Sequence, residues 1–180
     1  MTKSHKLAKG LVQVYTGNGK GKTTASLGLV FRALGHGLRI HVMQFMKGQT
    51  VYGELESAKL FTDRLTIEQV GLPGFVKAGK QTEVDREMAQ TAFARAQAMV
   101  SSGEYDLIVL DELNCAVDFG LVDVADVKEL IRTKPVHTEL VITGRNAHAE
   151  VVEMADLVTE MREIKHYFNS GQAARVGIES

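Results

Sequence analysis

At 180 residues, with 44% apolar and 24% charged side chains, the chain has the make-up of an ordinary globular protein and reads as one domain, residues 1–180. Its 21 basic and 22 acidic side chains leave a formal charge of −1, which gives no electrostatic case for coating nucleic acid or settling on an anionic membrane. The lone cysteine, Cys115, excludes an intrachain disulfide; no apolar run reaches membrane-spanning length and none follows the polar start Met1-Thr2-Lys3-Ser4-His5-Lys6, so the expected location is the cytoplasm.

The apolar run Leu11-Val12-Gln13-Val14-Tyr15 predicts the first strand. Directly after it comes Thr16-Gly17-Asn18-Gly19-Lys20-Gly21-Lys22-Thr23-Thr24, the stretch with the most specific chemistry. A glycine-rich turn between strand and helix aims successive backbone N–H groups into one concavity and sets a helix N-terminus behind it, and both favour a phosphate. Lys22 adds a mobile charge for terminal phosphates and Thr23 a hydroxyl for magnesium. The general phosphate-loop pattern has glycine where Thr16 stands, but Gly17 and Gly19 still permit the tight turn. The alternative is a Gly/Lys-rich surface turn; the strand–loop–helix context favours nucleoside triphosphate binding.

Leu27, Val30, Phe31 and Leu34 recur at helical spacing, and Gly35-His36-Gly37 ends that helix. Arg32, on the same helix, is read equally as a bridge to phosphate or as a solvated or paired helical charge. Ile40 to Phe45 predicts the second strand. Glycines then break the pattern from Lys47 to Lys80, around a helical piece (Glu54 to Phe61) and a strand (Leu65 to Val70); a long stretch of this kind is usually functional or disordered.

Thr82-Glu83-Val84-Asp85 carries a helix-start signal, followed by Val84, Met88, Ala92, Ala96 and Met99 along one face. Leu107 to Leu110 reads as a strand buried on both faces, with Asp111-Glu112 straight after it. A phosphate-loop protein places there the carboxylate that completes magnesium coordination, although acidic residues also favour helix N-termini, and the sequence leaves open which of the two touches the metal. Asp123 caps a helix bearing Val124, Val127, Leu130 and Ile131 that stops before Pro135. Leu140 to Thr143 and Leu157 to Thr159 are the last strands, with Asn146 to Ala155 helical between them. In Thr143-Gly144-Arg145-Asn146 the guanidinium either forks onto phosphate oxygens or is an exposed loop arginine. The histidines show no metal-ligand spacing, Cys115 reads as packing, and no Ser/His/Asp arrangement is present. Strands alternating with helices predict an α/β layered fold with a parallel sheet, whose ligands sit at the carboxyl ends of the strands.

Taken together, these residues resemble the phosphate-loop family of ATP:corrinoid adenosyltransferases, which attach the 5′-deoxyadenosyl group of ATP to the cobalt of vitamin B12 and its precursors. The matching elements are Thr16 through Thr24, Arg32-Ala33 with Gly35-His36-Gly37, Gln44-Phe45 with Lys47-Gly48, and Val109-Leu110-Asp111-Glu112. Thr143-Gly144-Arg145, Ala155-Asp156-Leu157-Val158, Lys165-His166 and Gly177-Ile178-Glu179 continue the series. Thr16 is itself the family's form of the loop.

The resemblance implies a three-layer, phosphate-loop-NTPase-like (RecA-like) fold with a mostly parallel six-stranded sheet, an active homodimer, and ATP reversed in the loop so that triphosphate is the leaving group. In its terms Lys22 and the loop from Thr16 to Thr24 hold the triphosphate, Thr23 and Glu112 hold magnesium or manganese, and Arg32 and Arg145 are further nucleotide contacts. It also implies an aromatic wedge that keeps an axial ligand off cobalt; this maps to Gly71-Leu72-Pro73-Gly74-Phe75-Val76-Lys77, with Phe75 at one wedge position and Lys77 where some relatives carry tryptophan. Only Met1 to Gly10 precede the first strand, where some members have a longer helical arm. The sequence leaves open the preferred corrinoid and whether a flavodoxin-like reductase docks. The rival readings are a phosphate-loop ATPase with ATP in the usual direction, Glu112 positioning the water, and a small-molecule kinase.

Overall fold

The computed structural model describes residues 7–48, 52–61, 63–71 and 81–179. Six short apolar runs become β1 (Val12–Thr16), β2 (Ile40–Phe45), β3 (Leu65–Val70), β4 (Leu107–Asp111), β5 (Glu139–Thr143) and β6 (Leu157–Glu160). They form one sheet in the order β3-β2-β4-β5-β1-β6, with every neighbouring pair parallel.

The continuous apolar character of the inner strands follows from serving two cores, because successive side chains point to opposite faces. On β4, Ile108 and Leu110 join Met43, Phe45, Leu140 and Ile142 in one cluster, while Leu107 and Val109 join Ile40, Val42 and Val141 in the other. The second cluster is covered by α1 (Lys22–Gly35) through Val30 and Ala33, with Ala58 at the end of α2 (Gly53–Ala58) packed alongside. The first is covered by α3 (Glu83–Ser102), α4 (Leu113–Asp118), α5 (Val124–Thr133) and α6 (Ala149–Met154). The result is the α/β layered fold with a parallel sheet that the alternation of elements predicts, in the three-layer form that the resemblance implies.

Two local expectations are corrected. The helix expected over Asn146 to Ala155 begins only at Ala149: Asn146 is left-handed (φ 53°) and the His148 ring accepts the Glu150 N–H as the cap, so Gly144 to Ala147 form a loop. The six-residue α4 was not anticipated; its cap position, Glu112, has φ 61° and makes no side-chain cap.

For the site, what matters is that β1, β2, β4 and β5 end on the same edge. The register pairs Gln44 with Asp111 and Tyr15 with Thr143, bringing Lys47, Asp111, Arg145 and the glycine loop together.

Candidate active site

The chain leaves β1 through Gly17, whose φ of 93° suits glycine, and enters α1 at Lys22. The loop lies against the backbone after β6. The Gly19 N–H donates to Met161 O (2.7 Å), the Met161 N–H donates to Thr16 O (2.8 Å), and a Cβ added at Gly17 would lie 2.5 Å from Met161 O. The Thr16 hydroxyl accepts the Ala147 N–H at 3.1 Å, which gives this non-glycine position a bracing role.

Lys22 is 8% exposed and donates to the carbonyls of Gly17 and Gly19, both at 2.8 Å. Burial pulls its ammonium below the ordinary lysine range; the Glu112 carboxylate opposes this and the Arg145 guanidinium adds to it. Loop, acid and arginine therefore act on one charge.

Asp111 is fully buried at the end of β4. Its Oδ1 accepts the Thr23 hydroxyl (2.8 Å) and the Thr143 hydroxyl (2.6 Å). Oδ2 makes no hydrogen bond among the described residues, and the Lys47 ammonium stands 3.1 Å away as an ion pair without hydrogen-bond alignment. Glu112 is left-handed, a conformation costing a non-glycine residue on the order of 1 kcal/mol. It is held there by its N–H to Thr143 Oγ1 at 3.0 Å, and it lines the cleft.

The Cys115 thiol donates to Glu112 Oε2 at 2.8 Å. Burial, reinforced by that carboxylate, pushes the thiol up to about 12, so it is no thiolate nucleophile at neutral pH. Gly144 (φ 130°) lets β5 pass close to α4, for a Cβ there would sit 2.9 Å from Asn114 Cβ and from the Cys115 N. Arg145 follows, exposed, with its N–H on the Cys115 sulfur at 3.3 Å.

A cleft of about 630 Å³ opens at the loop, and its wall includes Lys20, Lys22, Thr23, Thr24, Lys47 and Glu112. Its far side is formed by Gly177, Ile178 and Glu179. That segment is folded back by Glu179, which accepts from the Tyr167 hydroxyl and from Arg175 (3.1 Å), and Arg175 holds the Glu179 carboxyl down to about 2.

An orphaned buried oxygen on Asp111, beside a threonine hydroxyl and a second carboxylate, suits a hard divalent cation that keeps waters and takes remaining ligands from phosphate. Among the described residues no group of three His, Cys, Asp or Glu side chains could cage a metal alone.

The loop from Gly17 to Thr24, Glu112 and Arg145 are thus gathered at one edge, with Asn18 exposed on the loop. Arg32 is not. It lies ten residues along α1 from Lys22, about 15 Å by helical rise, and lines a separate cavity of about 530 Å³ with Lys9, His36 and Glu139. Phe75 and Lys77 lie outside the described residues. Lys47 and Thr143, both in contact with Asp111, were given no role by sequence reasoning. Lys47 has one legible sign, a cation just past a strand on the carboxyl edge, whereas Met161, which backs the loop through its main chain, has none.

Residues 8–180 match the family model of ATP:corrinoid adenosyltransferase BtuR/CobO/CobP. A corrinoid adenosyltransferase of Sinorhizobium sp. is 41% identical over 173 residues, covering 95% of this chain and 80% of that protein. The corrinoid adenosyltransferase of Escherichia coli K12 is 35% identical over 171 residues, covering 95% and 86%. Among solved structures, the flagellar accessory protein FlaH of Methanocaldococcus jannaschii superposes with a TM-score of 0.60 over 86% of this chain and 72% of that one, at 12% identity, a likeness of fold alone.

Proposed function

The chain belongs to the ATP:corrinoid adenosyltransferase family, and from that premise we propose how its own residues carry the transfer. It is a transferase that adenosylates corrinoids with ATP. In the reaction the electron pair of cobalt(I) attacks C5′ of the ribose, the C5′–O bond breaks, and triphosphate leaves with that bond's electrons. Cobalt(I) is nucleophilic enough to need no general base, so the residues' task is to orient C5′ and to stabilise charge on the departing triphosphate.

In our reading ATP lies reversed, its triphosphate on the loop amides from Gly17 to Thr24. Lys22 exchanges its two carbonyl partners for phosphate oxygens, and Lys20 and Arg145 add charge at the rim. The observation that carries the reading is the Thr23 hydroxyl bonded to buried Asp111 beside Lys22, a cradle for polyphosphate and a hard cation. Thr23, Asp111 and Glu112 are the residues proposed to hold magnesium or manganese, which supplies electrophilic stabilisation of the leaving triphosphate when bound. Phe75 is proposed to keep an axial ligand off cobalt. Hydrolysis of ATP is not favoured, because the relatives that the chain matches are corrinoid adenosyltransferases.

A homodimer is supported by apolar side chains left uncovered on β6 and beyond it, Leu157, Val158, Ile164, Phe168 and Val176. The cytoplasm is the proposed location, in keeping with the lone cysteine; no helix among the described residues is long and apolar enough to cross a membrane.

The test is product analysis with MgATP and chemically reduced corrinoid. Inorganic triphosphate and a light-sensitive adenosylated corrinoid are expected in equal amounts. ADP and phosphate released without regard to corrinoid would overturn the reading.

A further inference from the structure

We infer that Lys47 and the divalent cation compete for Asp111, and that when the cation takes the carboxylate Lys47 passes to the triphosphate. The inference rests on reading the glycine loop as the triphosphate cradle.

With no solvent contact, the Asp111 carboxylate needs a compensating charge. Oδ1 is spoken for by Thr23 and Thr143, so Oδ2 is the position a cation would take, and the ammonium 3.1 Å from it provides the charge in this structure.

Lys47 is not confined to that contact. Its ammonium lies 4.8 Å above the Tyr52 ring and 3.8 Å from Glu54, whose carboxylate is itself held by the Gln44 amide at 2.9 Å. A neighbouring resting place therefore exists on the same wall. Lysine suits such an exchange, being a point charge on a flexible stem, where arginine would be tied by its fork. The turn at left-handed Met46 (φ 56°) sends the chain from β2 across the end of β4, which sets Lys47 on the wall that also carries Lys22 and Thr23.

The consequence is a pair of opposite effects in one molecule. A cation arriving alone must displace a bound charge, and is weakened. ATP arriving with it gains a second lysine, and is strengthened. A merely structural lysine would lower both affinities when replaced.

The experiment measures Mn²⁺ binding without nucleotide by electron paramagnetic resonance, and ATP binding both in EDTA and at saturating Mn²⁺ by calorimetry. Lys47→Gln keeps an amide donor for Asp111 Oδ2 while removing the charge. It is expected to bind Mn²⁺ about tenfold more tightly than the wild type and, at saturating Mn²⁺, ATP about tenfold more weakly, with ATP affinity in EDTA unchanged. Asp111→Asn gives a second route should the first variant fold poorly: with Lys47 released, metal-free ATP binds more tightly, and the gain vanishes when Lys47→Gln is added. Mn²⁺ affinity unchanged or reduced in Lys47→Gln, or a gain from Asp111→Asn that survives in the double variant, overturns the inference. Failure of the cradle reading looks different, since Lys22→Ala would then bind ATP as well as the wild type does.

Discussion

Lys22 concentrates the chemistry of the site, being a buried ammonium folded onto the loop it must leave to meet phosphate. Replacing it with alanine removes one preorganised contact to the leaving group. Lys22→Ala is expected to lose on the order of 10²–10³ in the rate of adenosylated corrinoid formation under single-turnover conditions, and near-normal turnover would take the loop out of the mechanism. His41 sets a different single-residue property. It is 1% exposed on β2, neither ring nitrogen has a hydrogen bond among the described residues, and burial, with Arg95 adding repulsion, lowers it from 6.5 to about 4. The unfolded chain therefore binds the extra proton first. The stability due to neutral His41 is complete above about pH 6.5 and is lost as pH falls toward 4. Between pH 7 and pH 4.5 that loss is about 2 kcal/mol, so thermal unfolding of His41→Leu should decline less over this interval by roughly that amount.

Among the elements, α3 shows most clearly how local sequence acts. The Thr82 hydroxyl accepts the Asp85 N–H at 3.2 Å, and Asp85 Oδ2 accepts the Thr82 hydroxyl at 2.7 Å and the Thr82 N–H at 2.8 Å; the last two bonds hold the Asp85 carboxyl below its usual range. Thr82→Ala should destabilise the protein by about 1 kcal/mol, seen as a lower urea midpoint with an unchanged slope, because the cap is lost and no core contact is touched. Signals of this kind made most elements legible: strand β4 as an apolar run because both its faces are buried, α3 by its cap, and the loop by its glycines. What stayed hidden depends on contacts distant in sequence. Helix α4 begins at a left-handed glutamate held by Thr143, thirty-one residues away, and no local rule would start a helix there. The short α6 reflects Gly144 and Asn146 turning against α4, where the sequence alone favoured a longer helix. Lys47 gains its partner only because β2 lies beside β4.

For the molecule as a whole, the uneven cover of the sheet is the dominant fact. Helices bury both faces of its centre, while all four residues of β6 are exposed and apolar side chains continue uncovered to Val176. A second copy seated there is expected to appear as a dimer by sedimentation, and Val158→Asp combined with Phe168→Asp should convert it to monomer. The same edge ties the beginning of the molecule to its end. Leu11 and Val12 donate their N–H groups to Glu139 (2.6 Å) and Asp156 (2.8 Å), and the Met161 main chain backs the glycine loop. A chain emerging from the ribosome thus carries its nucleotide motif through most of its synthesis without the wall that shapes it. ATP can therefore stabilise the molecule only once the segment around Met161 has been made and packed against the loop.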